Sequence, residues 1–333
     1  MHQVAVVGVT GAVGTEILRV MDRRGFPVAG LRALASERSA GQRLTFRGEE
    51  VAIEAATEGS FQGVDLAFFS AGATRSRKLV PAASGAGAIV VDNSSAFRMD
   101  PTIPLIVPEI NGGSLDAAAP IVANPNCVAA ILTMAVGPLT KIGTLKRVVV
   151  STYQSASGAG ARAMDDLIVQ THDSLAGRPL VPKVLKHPYA FNLFSHDSDI
   201  EANLYNGEEN KVVAETRKIL DLPNLPLSVT CVRVPVLRAH SMSVNIEFEE
   251  AVTPSLAMEA LQSTAGIKLV DDHENNHYPM PLEVSGKDDV FVGRVRRDPS
   301  CPTALNLFVC GDQLLKGAAL NAVQIAEMLV GRA

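Results

Sequence analysis

The segment QVAVVGVTGAVGTEILRVMDRR, residues 3–24, constrains the fold more than any other part of this chain. Its first residues are β-rich and almost unbroken in hydrophobicity, as a strand covered on both faces requires; Ile17, Leu18 and Met21 then recur at helical spacing. Between them lie Gly8, Gly11 and Gly14. A strand that runs through a glycine turn into a helix is the opening βα unit of a parallel sheet. Glycines there let the backbone approach a phosphate closely, and the helix start offers unpaired amides and a favourable dipole. The spacing GxxGxxG departs from GxGxxG, so on the pattern alone a plain tight turn is the competing reading.

The runs LRALAS (31–36), VDLAFFSA (64–71), AIVVDNS (88–94) and IPLIVPE (103–109) extend the alternation of strands and helices, each stopping at a small or polar residue where a binding loop can begin. After the second strand the chain reads ASERSAG. An acidic residue at that strand end would hold a ribose 2′-hydroxyl, whereas Arg38 flanked by Ser36 and Ser39 suits a 2′-phosphate. The residues therefore favour NADP, with Glu37 leaving NAD open and a polar surface turn as the plain alternative.

From LKRVVVSTYQSASGAGARAMDD onward the pattern changes to a strand, a Gly/Ser loop and a long helix. An irregular stretch (181–207), a helix near 208–220 and four β-rich segments follow, which predicts a second, sheet-forming domain. The final QLLKGAALNAVQIAEMLVGRA has helical spacing and is expected to pack back on the first domain. With 333 residues, 47% of them hydrophobic, the chain has material for two cores. A formal net charge of -5 and no Lys/Arg-rich run give no basic field for nucleic acid. No stretch has the length and unbroken hydrophobicity of a membrane span, and the N-terminus does not read as a secretion signal. Cys127, Cys231, Cys301 and Cys310 lack the paired spacing of a zinc site and are too few for a disulfide scaffold, so no metal and a reducing cytoplasm are expected.

Cys127 stands between an Asn-Pro-Asn turn and the apolar run VAAILTMAV. A thiol in the first turn of a buried helix feels the positive end of the dipole, which favours the thiolate nucleophile. The competing reading is a small buried hydrophobe. A nucleophile needs a base. Of seven histidines, His240 lies in a polar connection between strand-like runs, CVRVPVLRAHSMSVNIEF, with Arg233 seven residues earlier. The other six, His196 among them, read as surface or satisfied core.

These pieces, in this order, resemble the aspartate-β-semialdehyde dehydrogenase family across nearly the whole chain. GVTGAVG, ASERSAG, VVDNSSAFRMD, VPEIN, ANPNC, VSTYQSASGAGA, YAFNLFSH, EENKVVAETRKIL, VRVPVLRAHS and FVCGDQLLKGAALNAVQIAEML carry the resemblance. It implies an α/β protein: a Rossmann-type parallel-sheet nucleotide domain (1–127), an α+β catalytic and dimerisation domain of the glyceraldehyde-3-phosphate dehydrogenase type (128–310), and a C-terminal helix (311–333) packing back on the nucleotide domain. It also implies a homodimer or dimer-based tetramer. The implied reaction is reversible, NADP-dependent oxidative phosphorylation of L-aspartate 4-semialdehyde with inorganic phosphate to 4-aspartyl phosphate. In biosynthesis it runs as the reduction, leading to lysine through diaminopimelate and to methionine, threonine and isoleucine.

By the resemblance, Cys127 forms a thioester and His240 is its acid/base partner. Gln154 positions substrate and nucleophile, Arg233 clamps the substrate α-carboxylate and Glu208 its amino group, while Arg98 and Lys211 hold phosphate. Gly8, Thr10, Gly11, Ala12, Val13, Ser36, Arg38, Ser39, Ser157, Gly158 and Gln313 line the cofactor. The residue types suit one mechanism: a thioester stores the acyl group, two cations meet a dianion, and a Glu with an Arg meets a zwitterion.

Two positions depart from the family pattern. Val128 and Ala129 follow the cysteine where many members have Ser-Thr, and Met242 stands where many have Glu, which could alter the orientation of His240. N-acetyl-γ-glutamyl-phosphate reductase is the nearest enzyme alternative; its acylated amine has no use for Glu208. A catalytically silent relative is the other alternative.

Overall fold

The computed structural model describes residues 1–116 and 118–331, which divide into two compact units: Met1–Asn126 with the C-terminal residues from Ala318, and Cys127–Gly317. The first unit opens with β1 (His2–Val7), α1 (Ala12–Arg23) and β2 (Val28–Ala35). A hairpin, β3 (Arg43–Phe46) and β4 (Glu49–Ala55), precedes β5 (Leu66–Phe69), α2 (Ala73–Gly85), β6 (Ile89–Asp92), the one-turn α3 (Pro108–Asn111) and β7 (Ile121–Ala123). The sheet order is β3-β4-β2-β1-β5-β6-β7, parallel throughout except for β3 against β4. β1 is central, with Val4 to Val7 fully buried, which is why its sequence is apolar without alternation. The chain winds outward from β1 in both directions, so the carboxyl ends of β1, β2 and β5 form a topological switch point, where sheets of this kind bind ligands.

The second unit begins with α4 (Cys127–Val136), whose residues from Val128 onward are all buried. It continues through β8 (Leu145–Gln154), α5 (Ala161–Leu175), the two-residue β9 (Phe194–Ser195), α6 (Gly207–Leu220), β10 (Leu227–Arg233) and β11 (His240–Phe248). Then come α7 (Pro254–Gln262), β12 (Ile267–Leu269), the short α8 (Pro281–Val284), β13 (Val290–Asp298) and β14 (Cys301–Gly311). Its mixed sheet has the order β12-β13-β14-β11-β8-β10-β9. Along β8 and β11 buried and more exposed residues alternate: Val148, Val150 and Thr152 face the core, while Ser151, Tyr153, Ser243 and Asn245 lie on the other face.

A π-helical turn, Leu315–Ala319, leads into α9 (Leu320–Val330), which packs on α1 and α3. Arg24 and Glu327 join α1 to α9 through paired 2.7 Å bonds. The units meet in sequence at 126/127 and 317/318, against expected boundaries at 127 and 310. The later return has a local cause: Asp312 is fully buried and accepts from Arg238 and from the amides of Gly286 and Leu314, tying 312–317 to the second unit.

The structure differs from the sequence expectation in smaller ways. IPLIVPE is not a strand; Leu105 makes one isolated bridge to Ala123, and the Pro at 108 starts a helical turn instead. The β3–β4 hairpin and the short β7, β9 and β12 carried too little hydrophobic pattern to be read. Among the described residues no helix is long and apolar enough to cross a membrane.

Candidate active site

In the first unit, the glycine turn leaves β1 at the switch point. Gly8 adopts φ +86, and a Cβ there would overlap the carbonyl oxygen of Ser70 beyond β5. A Cβ on Gly14 would overlap the Gly8 carbonyl, so α1 starts hard against the turn. Gly11 caps α1 with no side-chain hydrogen bond, which leaves the amides around Ala12 and Val13 open to an anion. This cradle, with Thr10 beside it, fits a dinucleotide pyrophosphate.

Beyond β2, Ser36, Arg38, Thr57, Arg75 and Lys78 line a cavity of about 650 Å³, with Glu37 and Glu58 in the same wall. Ser39 ends the single 3₁₀ turn that follows Ser36. Arg38 and Arg75 are exposed and have no ion-pair partner among the described residues; Lys78 lies 3.9 Å from Glu58. Sequence reading missed Arg75 and Lys78, which come from α2 some forty residues later. Arg98 is buried in this unit and donates to the carbonyls of Asn124 (2.8 Å) and Asn93 (2.6 Å).

In the second unit, Cys127 opens α4 and its Sγ lies 3.5 Å from His240 Nε2 at the start of β11. The Ser155 amide donates to His240 Nδ1 at 3.0 Å. An amide can only donate, so Nδ1 is the acceptor and, in the neutral ring, Nε2 carries the proton toward sulfur. His240 is completely buried, and burial, then the charges of Arg233 and His196, push its pKa well below the ordinary value. The ring is therefore neutral near pH 7. Ser155 Oγ also stands 3.0 Å from Nδ1. Met242 is buried two residues along the same strand, and the ring contacts described are to Ser155 and Cys127 rather than to position 242.

Two glycines make room for the pair. A Cβ at Gly158 would stand 2.9 Å from His240 Cε1 and 3.4 Å from Arg233 Nη1, and one at Gly317 would stand 3.0 Å from Cys127 Cβ. Gly317, in the π-helical turn, was not singled out by the sequence. Gln313 accepts from the Ala239 amide at 3.0 Å and donates to Ser157 Oγ. It thus holds Ala239, at φ +72, and the 155–157 loop on either side of His240.

Gln154, at the end of β8, donates to Glu208 Oε1 (3.2 Å) and accepts from Thr152 (3.0 Å), all three side chains being buried. Glu208 and Lys211 project from the first turns of α6, Lys211 Nζ lying 3.8 Å from Glu208. The helix start is fixed by a reciprocal cap: Asn206 accepts from the amides of Glu208 and Glu209, and Glu209 accepts from the Asn206 amide and from Cys231. Arg233 is buried at the end of β10 and its Nε donates to Asp197 Oδ1 at 3.2 Å. His196 approaches this group, and burial, then Arg233, lower its pKa to about 4. No signal in the sequence marked His196 or Asp197, because their relation to Arg233 arises from β9–β10 pairing.

The remaining thiols contrast with Cys127. Cys231 and Cys310 are buried, and desolvation raises both, Cys310 to about 12. All four cysteines are free, and among the described residues no group of three or more His, Cys, Asp or Glu side chains could hold a metal ion.

Comparison with known proteins bears on both units. The family description "Semialdehyde dehydrogenase, NAD binding domain" matches residues 3–118, and "Semialdehyde dehydrogenase, dimerisation domain" matches 136–316. The chain is 51% identical over 330 residues to an aspartate-semialdehyde dehydrogenase of Synechocystis, covering 99% of this chain and 98% of that one. It is 46% identical over 334 residues to that of Aquifex aeolicus, again covering 99% and 98%. Among solved structures, aspartate semialdehyde dehydrogenase II of Vibrio cholerae complexed with ASA superposes with a TM-score of 0.95 at 40% identity, covering 99% of this chain and 98% of that one.

Proposed function

Since this chain belongs to the aspartate-semialdehyde dehydrogenase family, we propose that it interconverts L-aspartate 4-semialdehyde and 4-aspartyl phosphate through a thioester on Cys127, with NADP as cofactor. The observation that carries the reading is the 3.5 Å approach of Cys127 Sγ to a buried His240 Nε2. A neutral imidazole donating to sulfur favours the thiolate, which adds to the aldehyde carbon. The thiol proton passes to solvent, His240 Nε2–H donates to the oxyanion that addition creates, and loss of hydride from that oxyanion re-forms the carbonyl with no further proton transfer, while Nδ1 stays bonded to the Ser155 amide. When bound, a nicotinamide cofactor held at the glycine turn would supply the two-electron oxidation that turns the thiohemiacetal into the thioester. Inorganic phosphate then attacks the acyl carbon, and the Cys127 thiolate leaves.

Arg233 and Glu208 read the α-carboxylate and amino group of the substrate, and Gln154, bonded to Glu208, positions substrate and nucleophile. Lys211 and Arg98 are assigned to phosphate. Arg38, Ser36 and Ser39 favour the 2′-phosphate of NADP, and the exposed Arg75 in the same cavity as Ser36 and Arg38 adds to that preference. Ser157 and Gln313, expected to line the cofactor, bond each other in the catalytic unit and also support the His240 loop. The protein works in the cytoplasm as a homodimer or dimer-based tetramer, at the step that leads to diaminopimelate, lysine, methionine, threonine and isoleucine. Light scattering at working concentration tests the assembly. The activity test is phosphate-dependent reduction of NADP by the purified chain with aspartate semialdehyde, with NAD in parallel. Reduction that needs phosphate and prefers NADP is the expected result; a chain that binds NADP yet gives none overturns the reading.

A further inference from the structure

Arg233 already has a partner on one edge. Its Nε donates to Asp197 Oδ1 at 3.2 Å, and both side chains are largely buried, 7% and 17% exposed. Its Nη1 would stand 3.4 Å from a Cβ at Gly158, the same Cβ that would stand 2.9 Å from His240 Cε1, so the space Gly158 leaves open is bordered by both side chains. Burial pushes the Asp197 carboxyl up, but the Arg233 charge, a backbone hydrogen bond and His196 outweigh it and leave the group below its ordinary range. Asp197 is an anion at neutral pH.

Asp197 is itself held from both sides. The His196 amide donates to the Cys231 carbonyl at 2.8 Å, which continues the β9–β10 pairing up to the residue before Asp197. On the far side, the Ser198 amide turns back to His196 Nδ1, and Ser198 Oγ accepts from the Glu208 amide and donates to Asn206. The residues on either side of Asp197 are thus tied to the strand that carries Arg233 and to the helix start that carries Glu208.

We propose that Asp197 is a positioning residue for substrate recognition: it grips Arg233 by the Nε edge, so that the Nη edge is presented, already oriented, to the substrate α-carboxylate. The inference rests on the reading of Arg233 as the carboxylate clamp. An arginine held by one carboxylate loses little further freedom on meeting a second, and planar guanidinium geometry then fixes the direction of approach. The ordered ion pair also supplies the counter-charge that lets Arg233 stay buried before substrate arrives.

The experiment is steady-state kinetics of the full-length chain with aspartate semialdehyde, saturating NADP and phosphate, for wild type, Asp197→Ala, Asp197→Asn, Arg233→Lys and the Asp197→Ala/Arg233→Lys double variant. Asp197→Ala is expected to raise KM for the aldehyde about tenfold while kcat changes less than about threefold, with Asp197→Asn between it and wild type because it keeps an acceptor oxygen. On the Arg233→Lys background the same change is expected to add less than about twofold. A fall in kcat with KM unchanged, fully additive losses, or a lowered KM that makes Asp197 a competitor for Arg233 would each overturn the proposal. If the Ala variant does not fold, the folded Asn variant decides, and an unchanged KM there has the same force. An Arg233→Lys variant with wild-type KM sinks the clamp reading itself; a raised KM there with silent Asp197 variants sinks only this inference.

Discussion

In the nucleotide unit the candidate site is made of main chain and exposed charge: a turn too tight for a Cβ, helix amides without a side-chain cap, and Arg38 and Arg75, which have no ion-pair partner among the described residues. In the catalytic unit it is made of buried side chains already bonded to one another, His240 to Ser155, Gln154 to Glu208 and Arg233 to Asp197. A cofactor that comes and goes is met by a surface whose charges wait for it. A reaction that must be aligned within tenths of an ångström is met by groups whose rotamers are fixed beforehand. Substitutions should therefore act on cofactor binding in the first unit and on turnover in the second.

The hardest test of that division is Cys127→Ala, expected to reduce turnover by about ten-thousand-fold while NADP binding, followed by fluorescence titration, stays within about twofold. Gly8→Ala should do the reverse. It forces an L side chain into a left-handed backbone against the Ser70 carbonyl, so NADP affinity should drop by about a hundredfold and the thermal midpoint should fall, at a backbone cost of about 1–2 kcal/mol before the clash. Gln313→Ala sharpens the comparison, because Gln313 was expected at the cofactor yet bonds Ala239 and Ser157: about thirtyfold lower kcat with a smaller change in the KM for NADP marks it as part of the His240 support. Arg38→Ala should raise KM for NADP about tenfold and leave that for NAD nearly unchanged.

The gentlest probe is pH. His240 and His196 have folded pKa values below the unfolded value near 6.5, His196 at about 4. The unfolded chain then binds more protons between those values, so stability is full above about pH 6.5 and drains as pH falls toward 4. Thermal midpoints measured from pH 7.5 to 4.5 should decline through that window, and His196→Asn should flatten part of the slope.

What could be read from sequence follows the same division. GVTGAVG and ASERSAG lie within contiguous turns, so spacing alone suggested their chemistry. Cys127 was visible because a thiol before an unbroken apolar helix is conspicuous, and His240 because it stands near an arginine between strands. Asp197 and His196 were invisible, since only the antiparallel seating of β9 against β10 brings them to Arg233, and β9 is two residues long. Gly317 was hidden for a related reason: its use lies in the close approach of a π-helical turn to Cys127, nearly two hundred residues away in sequence. IPLIVPE misled because a hydrophobic run does not say whether a proline within it will end a strand or start a helix.

The cap at the start of α6 ties together functions that chemistry would keep apart. Asn206 and Glu209 hold the first turn, and Glu209 also receives the Cys231 amide from β10. If that turn frays, Glu208, Lys211 and the anchorage of Ser198 go with it in a single local opening. On the roles proposed for Glu208 and Lys211, the enzyme would then lose its grip on amino group and phosphate at once. Amide exchange at Glu208, Glu209 and Cys231 should share one opening free energy, below that of the strands beneath, and heat should switch the enzyme off reversibly before it melts.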